Sequence, residues 1–207
     1  MSSESSKNYV LKELEKLNKE ITNCTKCSLH ESRTHAVPGE GNPFSGIMFI
    51  GEAPGKNEDL EGRPFVGAAG KLLEKMLNDY LNVKRSDVYI TNVIKCRPPN
   101  NRDPHEDEIK ACAPYLERQI NLLNPTVIVT LGNHSARFIF KKYGLTYSSI
   151  SKAHGKKFVV DTIFQRVYIF PMYHPAAILY NRKLEYEFIN DFINLKKLLD
   201  ELNLPKK

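Results

Sequence analysis

Apolar residues occur along this chain in short continuous runs that alternate with helical stripes. Short apolar runs bounded by glycine, proline or charged residues are typical of buried strands. Such runs lie in residues 46–55, 87–95, 125–132, 157–161 and 166–179. Glycine and proline end the first run, so we predict a strand there that is followed by a tight loop.

Five other segments place their apolar residues at helical spacing. They are residues 8–22, 68–81, 104–124, 134–144 and 183–202. The third begins with three acidic residues, which complement the positive end of a helix dipole. We take residues 1–22 as an N-terminal helical segment and residues 183–202 as a C-terminal helix of one domain that spans residues 1–207.

The alternation of strands with helices predicts an α/β fold in which helices cover both faces of a mainly parallel sheet. Ligands of such sheets bind beyond the carboxyl ends of the strands. We therefore expect four loops to meet at one edge of the sheet: residues 51–67, 92–103, 132–134 and 173–182.

The composition indicates a globular protein of ordinary polarity. The chain has 207 residues, of which 41% are hydrophobic and 26% charged, and this length suits one domain. The opening residues, MSSESSKNYV, lack the apolar stretch of a secretory signal. No apolar run reaches the roughly 18 residues of a membrane span. We predict an intracellular protein that is not secreted and does not associate with membranes.

Positive charge is concentrated in one part of the chain. The formal net charge is +6, and residues 133–168 contain seven Lys or Arg but one acidic residue, Asp161, so this window alone carries +6. One interpretation is a solvated basic face. The other is a surface for a polyanion, because clustered cations release counterions from nucleic acid. Charge alone does not distinguish DNA, RNA and an acidic protein.

The four cysteines give the strongest local signal. Cys24 and Cys27 form a C-x2-C pair, and Cys96 and Cys112 are separated by 15 residues. In a reducing compartment four thiolates suit zinc or an iron–sulfur cluster. Zinc ribbons usually pair two short knuckles, so this spacing favours iron–sulfur. Unrelated buried thiols are the remaining alternative.

The segment after the first predicted strand reads GEAPGKNEDLEGRPFVG. It matches neither the dinucleotide fingerprint nor the phosphate loop that ends in G-K-[ST]. It does place Glu52 at a strand end, and Phe65 between Gly62 and Gly67. Phe65 either fills the core or forms a stacking surface for a flat ligand, since nearby glycines allow close approach.

Two polar residues follow buried strands. Asn92 ends an apolar strand, where an unpaired amide is costly; it either caps a loop or reads the edge of a base. His174 directly follows another strand and precedes a proline, which restricts its backbone. Its role is either structural or catalytic.

Taken together, these segments resemble the family 4 uracil-DNA glycosylases, the iron–sulfur branch of the uracil-DNA glycosylase superfamily. The resemblance covers roughly residues 20–200 and depends on GEAPGKNEDLEGRPFVGAAGKLL, TNVIKCRPPNNRDP and HPAAIL, together with the four cysteines. It implies a three-layer α/β/α fold around a short, mainly parallel sheet.

The resemblance also implies a [4Fe–4S] cluster on Cys24, Cys27, Cys96 and Cys112, with a structural role. The expected activity is hydrolysis of the bond between uracil and deoxyribose in single- or double-stranded DNA, which leaves an abasic site for base excision repair. The expected substrate is uracil-containing DNA, and the expected state is a monomer.

Roles for individual residues follow from the same resemblance. Phe65 would stack on the extruded base, Asn92 would read its O4/N3 edge, and His174 would donate to O2. The backbone of Glu52 and Ala53 would close over the pocket, with Gly51 and Gly55 completing the base-binding set.

One departure concerns the attacking water. The best-known branch has Gln-Asp-Pro-Tyr where this chain has Glu52-Ala53-Pro54-Gly55, so the water-activating Asp is replaced by Ala53. Glu52 is the nearest carboxylate in sequence. Gly55 replaces a Tyr that would exclude the thymine methyl group.

The HPAAIL motif is also expected to supply an apolar wedge that fills the gap left by the extruded base. By position we favour Ile178, with Leu179 second and Arg182 as a phosphate contact. Two alternatives remain for the whole chain: a glycosylase for other deaminated bases, and a non-catalytic iron–sulfur DNA-binding protein.

Overall fold

A computed structural model, which describes residues 3–205, contains a six-stranded sheet in the order β1-β3-β2-β4-β6-β5. The strands are β1 (Glu40–Gly41), β2 (Ile47–Gly51), β3 (Tyr89–Asn92), β4 (Val127–Leu131), β5 (Phe158–Asp161) and β6 (Arg166–Met172). The central strands β3, β2, β4 and β6 are parallel, and the two edge strands are antiparallel to their neighbours. The predicted mainly parallel sheet is confirmed.

The helices alternate with these strands along the chain. They are α1 (Ser3–Thr22), α2 (Leu29–Ser32), α3 (Lys56–Glu61), α4 (Ala68–Met76), α5 (Glu106–Leu123), α6 (Asn133–Lys142), α7 (Ile150–Ala153), α8 (Pro175–Tyr180) and α9 (Glu185–Glu201). A π-helical turn, Leu77–Leu81, extends α4, and a 3-10 turn, Arg182–Leu184, precedes α9. Within residues 3–205 no helix is long and apolar enough to cross a membrane.

Two hydrophobic cores lie on opposite faces of the sheet. Every residue of β2 and β4 is buried, as expected for parallel strands with helices on both sides. Along β2, Phe49 packs into the core formed with α4, α8 and α9, whereas Met48 packs into the core formed with α1, α5 and α6. The fold is therefore the predicted three-layer α/β/α sandwich.

Several boundaries differ from the prediction. The strand predicted at 166–179 ends at Met172, because Pro175 starts α8 with His174 as its N-cap; proline suits the first turn of a helix, where no N–H donor is required. The strand predicted at 87–95 ends at Asn92. The predicted loop 51–67 contains α3.

The N-terminal helix is longer than the apolar stripe at residues 8–22 predicted. It begins at Ser3, and the first two positions of the predicted 1–22 segment lie outside the described residues, as do the last two positions of the chain. Its inner face packs against α5 through buried Leu14, Leu17 and Ile21. This contact brings the segment that follows α1 close to the end of β3.

Candidate active site

The carboxyl ends of the central strands bring three of the predicted site residues together. Gly51 ends β2 and lies opposite Asn92 of β3 in the parallel register. A Cβ atom on Gly51 would be 2.3 Å from Asn92 Oδ1 and 2.6 Å from Phe65 Cζ. A residue with a side chain here would displace both groups, so Gly51 allows the side chains of Asn92 and Phe65 to lie close together.

His174 completes this cluster. Its ring lies 5.6 Å from that of Phe65, centroid to centroid, at an interplanar angle of 31°. Gly132 follows β4 with a φ of 93°, and a Cβ atom there would be 3.1 Å from His174 Cβ. The three side chains predicted from separate motifs therefore meet at the carboxyl edge of the sheet.

Phe65 has the left-handed backbone conformation (φ 51°) that is rare for an aromatic residue. Arg85 holds it by donating to the main-chain oxygens of Phe65 (2.8 Å) and Pro64 (2.6 Å). Gly70 also permits the conformation, because a Cβ atom there would be 1.9 Å from the Phe65 oxygen. Such strained residues persist only where their surroundings over-determine them.

Glu58 is a buried carboxylate that the sequence reasoning missed. Its Oε1 accepts the N–H groups of Val66 and Gly67, both at 2.8 Å, and its Oε2 accepts that of Gly55 at 3.1 Å. One side chain thus joins the loop after β2 to the loop that carries Phe65. Its position at the third residue of a helix preceded by glycine is the pattern of a capping carboxylate, a signal that was available in the sequence.

Asn92 carries a buried acceptor without a partner. The residue is 2% exposed, and its Oδ1 has no hydrogen-bond partner among the described residues. An unpaired buried polar atom is costly, and Oδ1 is an acceptor that is available to a donor of a ligand. The amide group also offers N–H donors, so it can read a ligand edge that has one donor and one acceptor.

The protonation state of His174 follows from its contacts. Its Nδ1 accepts the N–H of Ala176 at 3.1 Å, so this nitrogen carries no proton and Nε2 carries one. Burial lowers the pKa of His174 to about 4, which keeps the ring neutral near pH 7. The side chain therefore presents an uncharged Nε2–H donor.

Glu52 lies beside this cluster, at the start of the loop after β2. Burial raises the pKa of its carboxyl group, nearby Asp103 adds to the rise, and His134 opposes it. Ligand atoms of these three residues lie within 4.8 Å of one another, in a groove lined by α5 and α6. Ala53 provides no carboxylate. Gly55 approaches Glu58 closely, since a Cβ atom on this glycine would be 2.8 Å from Glu58 Oε2.

The structure separates the two wedge candidates. Ile178 is 4% exposed and packs in the core beneath α8, whereas Leu179 is 49% exposed. The preference for Ile178 is therefore not supported, because helix α8 turns this side chain inwards. Leu179 projects from the protein next to exposed Arg182.

The four cysteines converge although they come from three parts of the chain. All four line one small, partly open cavity between the end of α1, the segment after β3 and α5. None forms a disulfide. Arg33 donates to Cys96 Sγ at 3.0 Å, and the Lys95 N–H donates to Cys112 Sγ at 3.3 Å. Donors of this kind commonly surround metal-bound thiolates, so the donor set fits a thiolate-held metal group.

Burial raises the pKa values of the thiols of Cys27, Cys96 and Cys112, to about 11 for Cys112. Buried thiols of this kind are weakly ionised by themselves, and a metal ion is what deprotonates them. The raised pKa values are equally expected for inert buried thiols, so the observation that fits a ligand set is the convergence of four sulfur-bearing side chains on one cavity.

The basic window at 133–168 is partly neutralised by pairing. Arg166 pairs with Asp161 at 2.7 Å, and Lys157 with Glu201 at 3.3 Å. Lys156 Nζ donates to the main-chain oxygen of Lys152 at 2.8 Å. These exposed pairs are weak, and Asp161 is already included in the charge of +6, so the window remains a basic surface after Lys157 pairs with an acid outside it.

Comparison with known proteins agrees with this geometry. The model of the uracil-DNA glycosylase superfamily matches residues 38–197. A type-4 uracil-DNA glycosylase of Sulfurisphaera tokodaii is 56% identical over 185 residues, which cover 89% of this chain and 84% of the relative. Type-4 enzymes of Saccharolobus solfataricus and Archaeoglobus fulgidus are 53% and 48% identical, over 87% and 91% of this chain and 83% and 94% of their own.

Proposed function

The chain belongs to the uracil-DNA glycosylase superfamily, and we propose that it acts as a uracil-DNA glycosylase through the cluster of Phe65, Asn92 and His174. It hydrolyses the bond between uracil N1 and deoxyribose C1′ in DNA and leaves an abasic site. The observation that carries the residue assignment is the unpaired, buried Oδ1 of Asn92, because uracil offers the donor N3–H next to the acceptor O4.

The reaction starts with extrusion of the base. An enzyme cannot reach the glycosidic bond inside a base stack, and flipping costs a few kcal/mol. Stacking on an aromatic ring recovers about 1–3 kcal/mol of this cost, and we assign that contact to Phe65. Asn92 accepts N3–H and donates to O4. Cytosine has an acceptor and a donor at those positions, so a fixed amide discriminates by about 1–3 kcal/mol.

Bond cleavage then places negative charge on the departing uracil. We assign its stabilisation to His174, whose Nε2–H donates to O2 as charge develops there. The neutral ring suits this role, because a fixed donor in a dry site stabilises the anion without transferring a proton first. Water adds its hydroxyl group to the oxocarbenium-like C1′, and its remaining proton balances the uracil anion.

No aspartate stands at the position of the water-activating residue, since Ala53 occupies it. Glu52 is the carboxylate nearest to that position in the sequence. Its carboxylate lies within 4.8 Å of the ligand atoms of Asp103 and His134, and these neighbours give it a second role to test, that of holding the loop.

Cys24, Cys27, Cys96 and Cys112 are proposed to hold a [4Fe–4S] cluster. Four thiolates in one cavity match the usual ligand set of such clusters. The bound cluster supplies a cross-link between the N-terminal segment, the end of β3 and α5. We expect it to stabilise the segment that follows Asn92 and to take no part in bond cleavage.

The same proposal covers the organisation of the protein. We take residues 1–207 as one domain, a proposal supported by the packing of α1 on α5 in a shared core. We further propose that the enzyme is a monomer and that it acts inside the cell, where its DNA substrate lies. Size-exclusion chromatography with light scattering at several protein concentrations tests the oligomeric state.

The decisive assay uses single-stranded oligonucleotides that contain one uracil, hypoxanthine, thymine or cytosine. Incubation with the protein is followed by alkaline cleavage of abasic sites, so each excised base gives a shortened strand. We expect cleavage at uracil, with Asn92→Ala reducing both the rate and the preference for uracil over cytosine. Cleavage at hypoxanthine alone would instead indicate an enzyme for other deaminated bases, and binding without cleavage a non-catalytic protein.

A further inference from the structure

Lys95 is a fully buried lysine between Asn92 and Cys96, and the mechanism above does not use it. It is 1% exposed. Its Nζ atom donates, at 2.7 Å each, to the main-chain oxygen of Asn92, to Thr91 Oγ1 and to Gln119 Oε1. In its protonated form the group has three donors, and the three acceptors match them. The position of the group is fixed by these three bonds.

The acceptors that surround this ammonium group are themselves held. Thr91 Oγ1 and Gln119 Nε2 both donate to the main-chain oxygen of Pro38, at 2.8 Å. A buried polar group is tolerated when its hydrogen-bonding capacity is satisfied in this way. The network therefore joins the end of β3 to α5 and to the segment before β1.

The Asn92 peptide is the part of this network that reaches the active site. β3 ends at Asn92, and the following N–H, that of Val93, donates to the Gly51 oxygen at 2.9 Å. The carbonyl group of Asn92 points the other way and is held by Lys95 Nζ. Because this peptide plane is anchored from both sides, the backbone of Asn92 is held and with it the direction of its Cα–Cβ bond.

Lys95 is equally connected to the sulfur site. Its N–H donates to Cys112 Sγ at 3.3 Å, and its oxygen accepts the Val37 N–H at 2.7 Å. Cys96 is the next residue along the chain. A single residue thus contacts a cysteine through its main chain and the base-reading asparagine through its side chain.

We propose that Lys95 is a positioning residue for uracil recognition, which holds the Asn92 peptide so that the amide faces the base and which connects this amide to the four-cysteine site. The proposal deepens the function proposed above and rests on it. It predicts that loss of the Lys95 amino group slows uracil excision through its effect on Asn92. The loss should therefore have little further effect once the Asn92 side chain has been removed.

A double-mutant cycle tests this dependence. Single-turnover excision of uracil from a single-stranded oligonucleotide is measured for the wild type, Lys95→Met, Asn92→Ala and the double variant. Methionine retains most of the length of the lysine side chain but removes its donors. We expect Lys95→Met to slow excision about tenfold in the wild-type background, on the scale of a lost charged hydrogen bond, and less than about twofold in the Asn92→Ala background.

A second comparison separates positioning from general destabilisation. The same substitution in a His174→Ala background should keep its roughly tenfold effect, since His174 does not depend on the Asn92 peptide. Lys197→Met removes an exposed lysine of α9 and is the matched control, which should change nothing. Iron content and visible absorption of each variant show whether the four-cysteine site is intact.

If Lys95→Met lacks iron or does not fold, Thr91→Val takes its place in the cycle. It removes one acceptor of the ammonium group, and we expect a smaller loss with the same dependence on Asn92. Equal slowing in both the wild-type and Asn92→Ala backgrounds would overturn the proposal, as would an unchanged rate in folded Lys95→Met. Absence of uracil excision by the wild type would refute the proposed function instead.

Discussion

Replacement of His174 by alanine is the most direct test of the proposed chemistry. In the structure, Nδ1 accepts the Ala176 N–H, so the one polar hydrogen of the ring lies on Nε2. The substitution removes this donor from the pocket. Loss of one preorganised donor to a developing oxyanion commonly costs a factor of about 10²–10³ in rate, or about 2.7–4 kcal/mol. We expect the single-turnover rate on uracil-containing single strands to fall by this factor.

Binding should respond much less than the chemical step. The bond to O2 strengthens as charge develops, so it contributes mainly to the transition state. We expect the dissociation constant of the variant to stay within about threefold of the wild-type value. Both are measured with the same non-cleavable substrate analogue, because the wild type would cleave uracil-containing DNA. His105→Ala, which removes an exposed histidine at the start of α5, is the matched control.

The pH dependence gives an independent check. Burial places the pKa of His174 at about 4, well below the ordinary value. A group with a lowered pKa is neutral throughout the neutral range, so the ratio of the wild-type rate to the His174→Ala rate should be constant from about pH 5.5 to 8. A ratio that changes through pH 6.5 would show that a charged imidazole acts in catalysis. A near-normal rate for His174→Ala would refute the assigned role altogether.

Three further predictions concern the surroundings of the pocket. Cys96→Ser should lower the iron content and the melting temperature, measured by metal analysis and calorimetry, whereas a wild-type protein with one zinc ion and no visible absorption would contradict the cluster assignment. Glu58→Gln should slow excision about tenfold, because one amide oxygen cannot replace a carboxylate that accepts three N–H groups; an unchanged single-turnover rate would argue against a role in holding the Phe65 loop. Leu179→Ala should slow excision from duplex DNA more than from single strands, where no stack must be held open. Ile178→Ala should lower the melting temperature, as core truncations do, and should change the excision rates from duplex and single-stranded DNA equally. A selective loss on duplex DNA for Ile178→Ala, with equal rates for Leu179→Ala, would restore Ile178 as the wedge.

The order of elements and the candidate site were predictable because they depend on local signals. Buried parallel strands are visible in the sequence as continuous apolar runs. Polar residues directly after them lie at the carboxyl edge of the sheet, where ligands bind. Asn92 and His174 could be located in this way. Phe65 and the four cysteines were identified from motif and spacing, and the resemblance to a known family gave their expected roles.

Boundaries and helix faces were less predictable. The apolar pattern continues through His174 to Leu179, so only the capping geometry at Pro175 shows that a helix starts there. The same helix decides that Ile178 faces the core and Leu179 faces solvent, a distinction that two adjacent apolar residues do not reveal in sequence.

Tertiary structure alone decided which distant groups meet. The register of β2 and β3 places Gly51 against Asn92 and leaves the amide oxygen unpaired, although these residues are far apart in the chain. The acceptors of the three Lys95 hydrogen bonds lie in β3 and α5. A lysine in an apolar segment of the sequence does not indicate which groups it will bond. Such contacts depend on how strands and helices pack, because hydrogen bonding between distant groups requires positions that only the folded backbone defines.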